Sequence, residues 1–265
     1  MFWQAKKQQI LLRGYPLNYI TFGIGQRPLI LIQGLNTGSI HGSARSLAYM
    51  YRQFARDYRV YLFDRRQDLF SGITVRDLAS DVADAMDQLQ LTQADVIGVS
   101  QGGMIAQYLA IDRPDLVRKL VLAVTLCRPN QTVETVIGNW ISWTEHRAFR
   151  QLVLDMAERM YSESYLRRYR PFLPLLTLLQ TPKDIPRFIT LAKSCLTCQT
   201  YEELDRIQCP VFVIGGKLDQ VIGESALEEL AQKLNCRLYV YENLGHAAYE
   251  EAPDFNQRIY DFFLE

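Results

Sequence analysis

Short apolar runs alternate with longer amphipathic segments along most of this 265-residue chain. The runs are rich in β-branched and aromatic residues, and several are apolar throughout, which is typical of strands buried on both faces of a parallel sheet. The first two runs, joined at Gly14, are expected to form an antiparallel hairpin. The predicted strands lie at 9–13, 17–23, 28–33, 59–64, 94–99, 119–124, 210–216 and 237–242.

Between these runs, apolar residues recur at the spacing of a helix. Thr74 and Asp77 predict a capping box at the start of one such helix. The predicted helices lie at 43–58, 74–91 and 224–235, and in the segment 104–117 that follows Ser100. Because strands alternate with helices, we expect a doubly wound α/β sheet.

The alternation is interrupted once, between Cys127 and about Gln208. The only regular pattern there is helical, at 133–146, 149–161 and 185–196. A helical stretch inserted between two consecutive strands of the sheet is expected to form a cap. Such a cap excludes water and shapes a substrate pocket. The predicted organisation is a core formed by 1–126 and 209–265, with an inserted helical cap at 127–208.

Composition narrows the class of protein. The 29 Lys and Arg residues balance 29 Asp and Glu residues, so we expect no basic surface that recruits nucleic acid. No run approaches the roughly eighteen apolar residues of a membrane helix, and the N-terminus lacks the pattern of a signal peptide. We therefore expect a cytoplasmic protein without stable membrane association.

Cysteine usage fits the same compartment. The five cysteines are odd in number and have no paired spacing, so we expect reduced thiols. Cys195 and Cys198 form a C-x-x-C pair, which is a candidate for metal or redox chemistry. Since no second pair and no neighbouring His accompany it, buried helix residues are the preferred interpretation.

The most informative motif is GVSQGG at 98–103, which follows a predicted strand and precedes an amphipathic segment. In this setting, G-x-S-x-G is typical of a sharp turn that exposes a nucleophilic serine above a sheet. Gly98 and Gly102 lack Cβ atoms, so the chain can reverse tightly there and hold the residue between them in a strained conformation. Ser100 is therefore the candidate nucleophile.

With two further residues, the pattern resembles the α/β-hydrolase superfamily, in its cap-bearing branch of small esterases, enol-lactonases and cofactor-free haloperoxidase-like enzymes. Ser100, then Asp219 just after a strand, then His246 before the final helix follow the family's order of nucleophile, acid and histidine. The resemblance spans essentially the whole chain. It implies the α/β-hydrolase fold, a mostly parallel doubly wound sheet of about eight strands with an inserted helical cap.

The resemblance also implies a Ser-His-Asp triad. A serine hydroxyl is a poor nucleophile until an imidazole removes its proton, and the same imidazole later protonates the leaving group. His246 is expected to do both, while Asp219 fixes its tautomer. An Asp in place of Ser100 would indicate a dehalogenase or an epoxide hydrolase instead.

Two backbone amides are expected to stabilise the oxyanion of acyl transfer. One is the N–H of Gln101, at a helix N-terminus, and the other is the N–H of Leu35, after the strand 28–33. The chain has Gln33 where the family commonly has His, so it departs from the family at the side chain that supports this loop. Asn36 is expected either to contact the substrate or to make a turn.

Residues of the cap are candidates for the walls of the substrate pocket, although aromatic residues at helical spacing more often pack within their own domain. The substrate-binding candidates are Trp140, Trp143 and Met160, with Phe149, Met156 and Phe172 as further wall residues. The apolar run at 171–179 is either a lid that faces lipid or a segment packed on the core. Asp64 and Arg65 are expected to hold their loop by a salt bridge.

The sequence therefore predicts a serine hydrolase that cleaves a small or medium carboxylic ester, thioester or lactone through an acyl-enzyme. Its only expected partner is the small-molecule substrate, it needs no metal or organic cofactor, and it is a monomer or homodimer. The same triad also serves a carbon-carbon hydrolase or a cofactor-free perhydrolase. A ligand sensor that turns over slowly and docks a partner protein is a further alternative, because fold does not fix function.

Overall fold

The computed structural model describes residues 3–169 and 181–265. Phe172 and the apolar run at 171–179 lie outside the described residues. Eight strands form one sheet, as predicted. Their bounds are β1 (Lys6–Leu12), β2 (Tyr15–Phe22), β3 (Arg27–Ile32), β4 (Tyr58–Phe63), β5 (Ala94–Val99), β6 (Val117–Ala123), β7 (Val211–Gly216) and β8 (Arg237–Tyr241).

The strands lie side by side in the order β1-β2-β4-β3-β5-β6-β7-β8. The pairs from β4 to β8 are parallel, and β2 runs antiparallel to both of its neighbours. Arg13 and Gly14 connect β1 to β2 with φ angles of 46° and 91°, the positive values that a type I′ hairpin turn requires. The predicted opening hairpin and mostly parallel sheet are confirmed.

Helices connect the parallel strands. Their bounds are α1 (Ala44–Met50), α2 (Val75–Gln88), α3 (Gln101–Asp112), α4 (Gln131–Glu145), α5 (Phe149–Met160), α6 (Glu163–Tyr169), α7 (Ile185–Cys195), α8 (Ala226–Leu234), α9 (Ala248–Glu251) and α10 (Phe255–Leu264). The predicted capping box begins α2, because Thr74 Oγ1 accepts from Asp77 N at 3.1 Å and an Asp77 carboxylate oxygen accepts from Thr74 N at 2.8 Å.

Two helices are shorter than the apolar pattern predicts. The segment 43–58 contains α1 only as far as Met50, since Tyr51 leaves helical geometry with a ψ of 18°, and a 3₁₀ turn at Arg52–Arg56 follows. In the segment 104–117, α3 ends at Asp112 because Pro114 cannot continue a helix, and β6 begins soon after. The spacing of apolar residues alone did not predict these helix ends.

The core lies on both faces of the sheet. Alternate residues of one strand point to opposite faces, so Val96 of β5 packs with α2 and α3, whereas Ile97 packs with α1 and α10. All six residues of β5 are buried, as expected for a central strand covered on both sides. The sheet is therefore doubly wound, and its strand ends form one rim where connecting loops meet.

The stretch between β6 and β7 is helical. Its described residues form α4 to α7 and a 3₁₀ turn at Tyr201–Arg206, without a strand. We refer to residues 127–208 as the cap segment; its separation from the core as a domain stays a prediction. Within the ranges that the structure describes, no helix is both long and apolar enough to cross a membrane.

Candidate active site

Ser100 occupies a strained turn between β5 and α3. Its φ of 55° and ψ of −120° are rare for a residue with a side chain. Close packing enforces this geometry: a Cβ atom added at Gly98 would lie 2.5 Å from Gly102 O, and one added at Gly102 would lie 1.9 Å from Ile32 O. Only glycine fits at either place, so α3 approaches the sheet closely and Ser100 is lifted above the strand ends.

Asp219, His246 and Ser100 form a continuous chain of hydrogen-bond contacts. His246 Nδ1 lies 2.7 Å from Asp219 Oδ2, and His246 Nε2 lies 3.0 Å from Ser100 Oγ. Asp219 and His246 are 1% and 3% exposed. The structure thus brings together the three side chains that the sequence proposes as a triad, from loops after β5, β7 and β8.

Hydrogen bonds to the backbone fix the direction of the Asp219 carboxylate. Its Oδ1 accepts from Val221 N at 2.8 Å and from Ile222 N at 3.0 Å, which leaves Oδ2 for His246. Because a carboxylate only accepts, the proton of this contact belongs to His246 Nδ1. His246 Nε2 then presents its lone pair to the Ser100 hydroxyl.

The two expected oxyanion amides flank Ser100. Gln101 is the first residue of α3, and the first N–H groups of a helix have no partner within it. On the other side, the loop after β3 passes so close that a Cβ atom added at Gly34 would lie 3.2 Å from Ser100 Cβ, and Leu35 follows directly. Both residues stand next to the candidate nucleophile, and their role as donors stays a prediction.

The Gln101 side chain joins this turn to the cap segment. Its Nε2 donates to Leu191 O at 2.7 Å and to Ser194 Oγ at 3.2 Å, both in α7. Its Oε1 accepts from Arg65 Nε at 3.3 Å. The sequence analysis considered only the backbone of Gln101, because no local pattern shows what a buried amide side chain will contact.

Arg65 is bound differently from the expected salt bridge. Its guanidinium donates to Gln101 Oε1 and to Gln33 O, and only its backbone N donates to Asp64, at 2.8 Å. Burial lowers the pKa of Arg65 to about 10, which leaves it charged at neutral pH. Asp64 pairs instead with Arg187 of α7, at 3.5 Å. The loop is therefore held by residues of the core, among them Gln33 and Gln101, and by Arg187 of the cap segment.

Arg187 adds two further bonds to that loop. Its guanidinium donates to Arg66 O at 2.6 Å and to Arg65 O at 3.0 Å. These contacts fix the start of α7 to the loop that follows β4. An arginine near the start of a helix gave no signal of this role in the sequence.

A second set of bonds joins the cap segment to the histidine loop. Ala247 N, next to His246, donates to Met160 O at 2.7 Å. The Tyr161 hydroxyl donates to Glu250 Oε2 at 2.7 Å, and Ser162 N donates to Glu251 Oε1 at 2.9 Å. The end of α5 is thus bound directly to the segment that follows His246.

A cavity of about 350 Å³ opens beside Ser100 and His246. Its described lining combines apolar residues of the cap segment and the core with a few polar groups. The lining includes Leu35, Asn36, Met104, Val133, Ile137, Trp140, Met156, Met160, Tyr161, Cys195, Ile222, Tyr249 and Glu250. An enclosure of this size and polarity is suited to a small organic molecule.

The predicted substrate-binding residues divide between lining and packing. Asn36, Trp140 and Met160 line the cavity, and Asn36 Oδ1 is buried without a hydrogen-bond partner among the described residues. Trp143 does not belong to the described lining: it is half-buried and packs against the hydrophobic core, as does Phe149. That Trp143 contacts the substrate stays a prediction, to which the described lining of this cavity adds no support.

The C-x-x-C cysteines are buried, as the preferred interpretation expects. Cys195 ends α7 and lines the cavity, whereas Cys198 lies beyond the helix end. Burial raises the pKa of the Cys195 thiol to about 12, so it is protonated at neutral pH. Among the described residues, no three His, Cys, Asp or Glu side chains are grouped as a metal site would require.

Comparison with known proteins decides the family. The model of a family described as "Alpha/beta hydrolase family" matches residues 39–256, most of the chain. The chain belongs to the α/β-hydrolase family. The predicted family and fold are confirmed, and with them the assignment as a hydrolase enzyme.

Individual α/β hydrolases match over nearly the full length. 3-Oxoadipate enol-lactonase 2 of Acinetobacter baylyi is 25% identical, covering 96% of this chain and 95% of the relative. The soluble epoxide hydrolase of a Corynebacterium species is 27% identical, covering 96% of each. The crystal structure of the enol-lactonase from Burkholderia xenovorans superposes with a TM-score of 0.85 at 20% identity, over 97% of this chain and all of the other.

The contacts of the Gln101 side chain lead to a stability prediction. Gln101→Met keeps the length of the side chain but leaves the buried Arg65 guanidinium with one acceptor fewer. We expect the free energy of unfolding to fall by about 1–3 kcal/mol, measured by urea denaturation. The matched control is Gln232→Met on the exposed side of α8, with an expected change within about 0.5 kcal/mol. Equal effects of the two substitutions would contradict the assigned role.

Proposed function

We propose that this protein is a serine hydrolase of small or medium carboxylic esters, thioesters or lactones. The observation that carries the proposal is the chain of contacts from Asp219 through His246 to Ser100 at the wall of a cavity. A buried base within hydrogen-bond reach of a hydroxyl, itself oriented by a carboxylate, is the arrangement that activates a serine nucleophile.

The proposed reaction proceeds in two halves. His246 Nε2 takes the proton of Ser100 as Oγ attacks the carbonyl carbon, and the amides of Leu35 and Gln101 stabilise the resulting oxyanion. His246 then protonates the leaving oxygen or sulfur, which leaves an acyl-enzyme. A water molecule, deprotonated by the same imidazole, attacks that ester and releases the acid, restoring Ser100.

The relatives support the type of bond. Two of them are named enol-lactonases, and a lactone is an internal ester that the same steps would open. The relative named soluble epoxide hydrolase makes epoxide opening an alternative. The residue at the turn argues against it, because a nucleophilic Asp there indicates an epoxide hydrolase and this chain has Ser100.

The remaining expectations belong to the same proposal. The cap segment, 127–208, is proposed as an inserted cap whose side chains shape the cavity. The cytoplasm as compartment and a monomer or homodimer as assembly stay predictions from the sequence.

Ser100→Ala tests the nucleophile. The variant should fold like the parent, lose covalent labelling by a fluorophosphonate and lose hydrolysis across a panel of esters and lactones of graded acyl length. Ser71→Ala, at an exposed loop position, is the control and should behave like the parent. Undiminished labelling of the Ser100 variant would refute the assignment. Labelling of the parent without turnover of any panel member would favour the ligand-sensor alternative.

Asp219→Asn tests the acid. The two backbone N–H groups that bind Oδ1 require an oxygen there, so the introduced amide nitrogen would face His246 Nδ1 and donate to it. The proton of the imidazole would then move to Nε2, and a protonated Nε2 cannot accept the proton of Ser100. We expect kcat to fall by about a thousand- to ten-thousandfold, measured with an aryl ester. Asp205→Asn, at an exposed position, is the control. A loss below about tenfold would point to another carboxylate.

Trp140 and Trp143 provide a matched pair for the cavity wall, since they share a helix but only Trp140 lines the cavity. Trp140→Phe should change the ratio of kcat/KM between butyryl and octanoyl esters by about fivefold or more. Trp143→Phe should leave that ratio within about twofold. Similar ratios for both variants would show that this part of α4 does not contact the acyl group.

A further inference from the structure

Glu250 is a charged residue at the mouth of the cavity. It lies on α9, four positions after His246. The same side chain, with Tyr249, also lines an outer groove of about 520 Å³, whose other walls include Met50, Gln53 and Tyr165. Glu250 therefore borders both the cavity and this groove, so a substrate part that extends from one into the other would lie beside its carboxylate.

The carboxylate is held in this place by a hydrogen bond. Tyr161, from the end of α5, also lines the cavity and donates its hydroxyl to Glu250 Oε2 at 2.7 Å. Desolvation by the surrounding protein raises the pKa of Glu250, and this hydrogen bond opposes the rise by stabilising the charged form.

The Glu250 carboxylate has no ion-pair partner among the described residues, and its neighbour Glu251 is also acidic. Arg52 lines the same groove and keeps its charge, but its guanidinium lies 3.9 Å from the centre of the Tyr49 ring and donates to Tyr49 O rather than to Glu250. The Glu250 side chain is exposed, so solvent screens its charge in part. A second anion placed beside it would still meet repulsion at short range.

We propose that Glu250 is a specificity-determining residue, which makes the enzyme select uncharged or cationic esters and reject esters that carry a carboxylate at the cavity mouth. The apolar walls, with Val133, Ile137 and Met156, take up the hydrocarbon part of the substrate. The inference rests on the proposed hydrolysis at Ser100 and adds a substrate class to it.

The test compares esters that differ only in charge. One pair has an adipoyl ester and its neutral isostere, in which an isopropyl group replaces the carboxylate. A second pair places the same exchange on the alcohol, as meta-carboxyphenyl and meta-isopropylphenyl butyrate. A third pair compares a trimethylammonio-pentanoyl ester with its tert-butyl isostere. For each pair, the readout is the ratio of kcat/KM for the charged ester to that for the neutral ester, at about pH 8, well above the ordinary pKa of a glutamate.

Three variants separate the charge of Glu250 from other effects. Glu250→Gln should raise the anionic-to-neutral ratio by about five- to thirtyfold in the acyl pair, the alcohol pair or both, and should lower the cationic-to-neutral ratio. Glu250→Asp keeps the charge and should retain the ratios of the parent. Glu251→Gln removes a neighbouring charge that is bound to Ser162 and does not line the cavity, so its effect on the ratios should be within about twofold.

The outcomes separate this inference from the proposed function. If the parent hydrolyses the neutral esters through Ser100 but Glu250→Gln leaves every ratio unchanged, the specificity role is refuted and the hydrolase stands. An equal shift of the ratios in Glu251→Gln would also refute the specificity role. The effect would then come from the total negative charge of this region and not from Glu250 itself. If Ser100→Ala retains the activity on the neutral esters, the proposed function fails instead.

Discussion

The close approach of α3 to the sheet is the constraint on which the candidate site depends. With Gly98 and Gly102 in contact with backbone atoms, the chain has no room to pass from β5 to α3 except through a strained Ser100. Two hydrogen bonds stabilise the strained backbone of Ser100. Its N donates to Ala123 O at 2.8 Å, and its O accepts from Thr125 Oγ1 at 2.8 Å. One packing contact thus sets the position of a hydroxyl and of the helix amides beside it.

Features that arise within a short stretch of chain were predictable. The buried strands, the hairpin and the glycine-bounded turn at Ser100 all follow from residue types at fixed spacing. Asp219 and His246 were identified through the resemblance to the α/β-hydrolase superfamily, whose order of nucleophile, acid and histidine they follow. The structure brings them together because parallel strands end at one rim. Helix ends were harder to predict from the sequence. The backbone leaves helical geometry at Tyr51, and no Gly or Pro at that position indicates the end of α1.

Contacts between distant segments were not predictable. Trp140 and Trp143 lie one turn apart on α4, and apolar spacing predicts that both are buried without telling which of them meets a cavity. That difference depends on how the helix is rotated against its neighbours. The contacts of Arg187 and of the Gln101 side chain were not predicted for the same reason, because their partners lie about a hundred residues away in the chain. A single sequence records the residue types in such contacts and not their pairing.

The cap segment is bound on both sides of the contact between His246 and Ser100. Gln101 ties α7 to the Ser100 turn and Arg187 ties it to the loop after β4, whereas Met160 ties the end of α5 to the loop of His246. A displacement of α7 would thus strain the turn that presents Ser100. A displacement of α5 would shift the loop that carries His246. Substitutions inside the cavity, away from these bonds, are free of that coupling. Met160 and Tyr161 both line the cavity and take part in these bonds, so substitutions there are expected to change the cavity wall and the position of the His246 loop together.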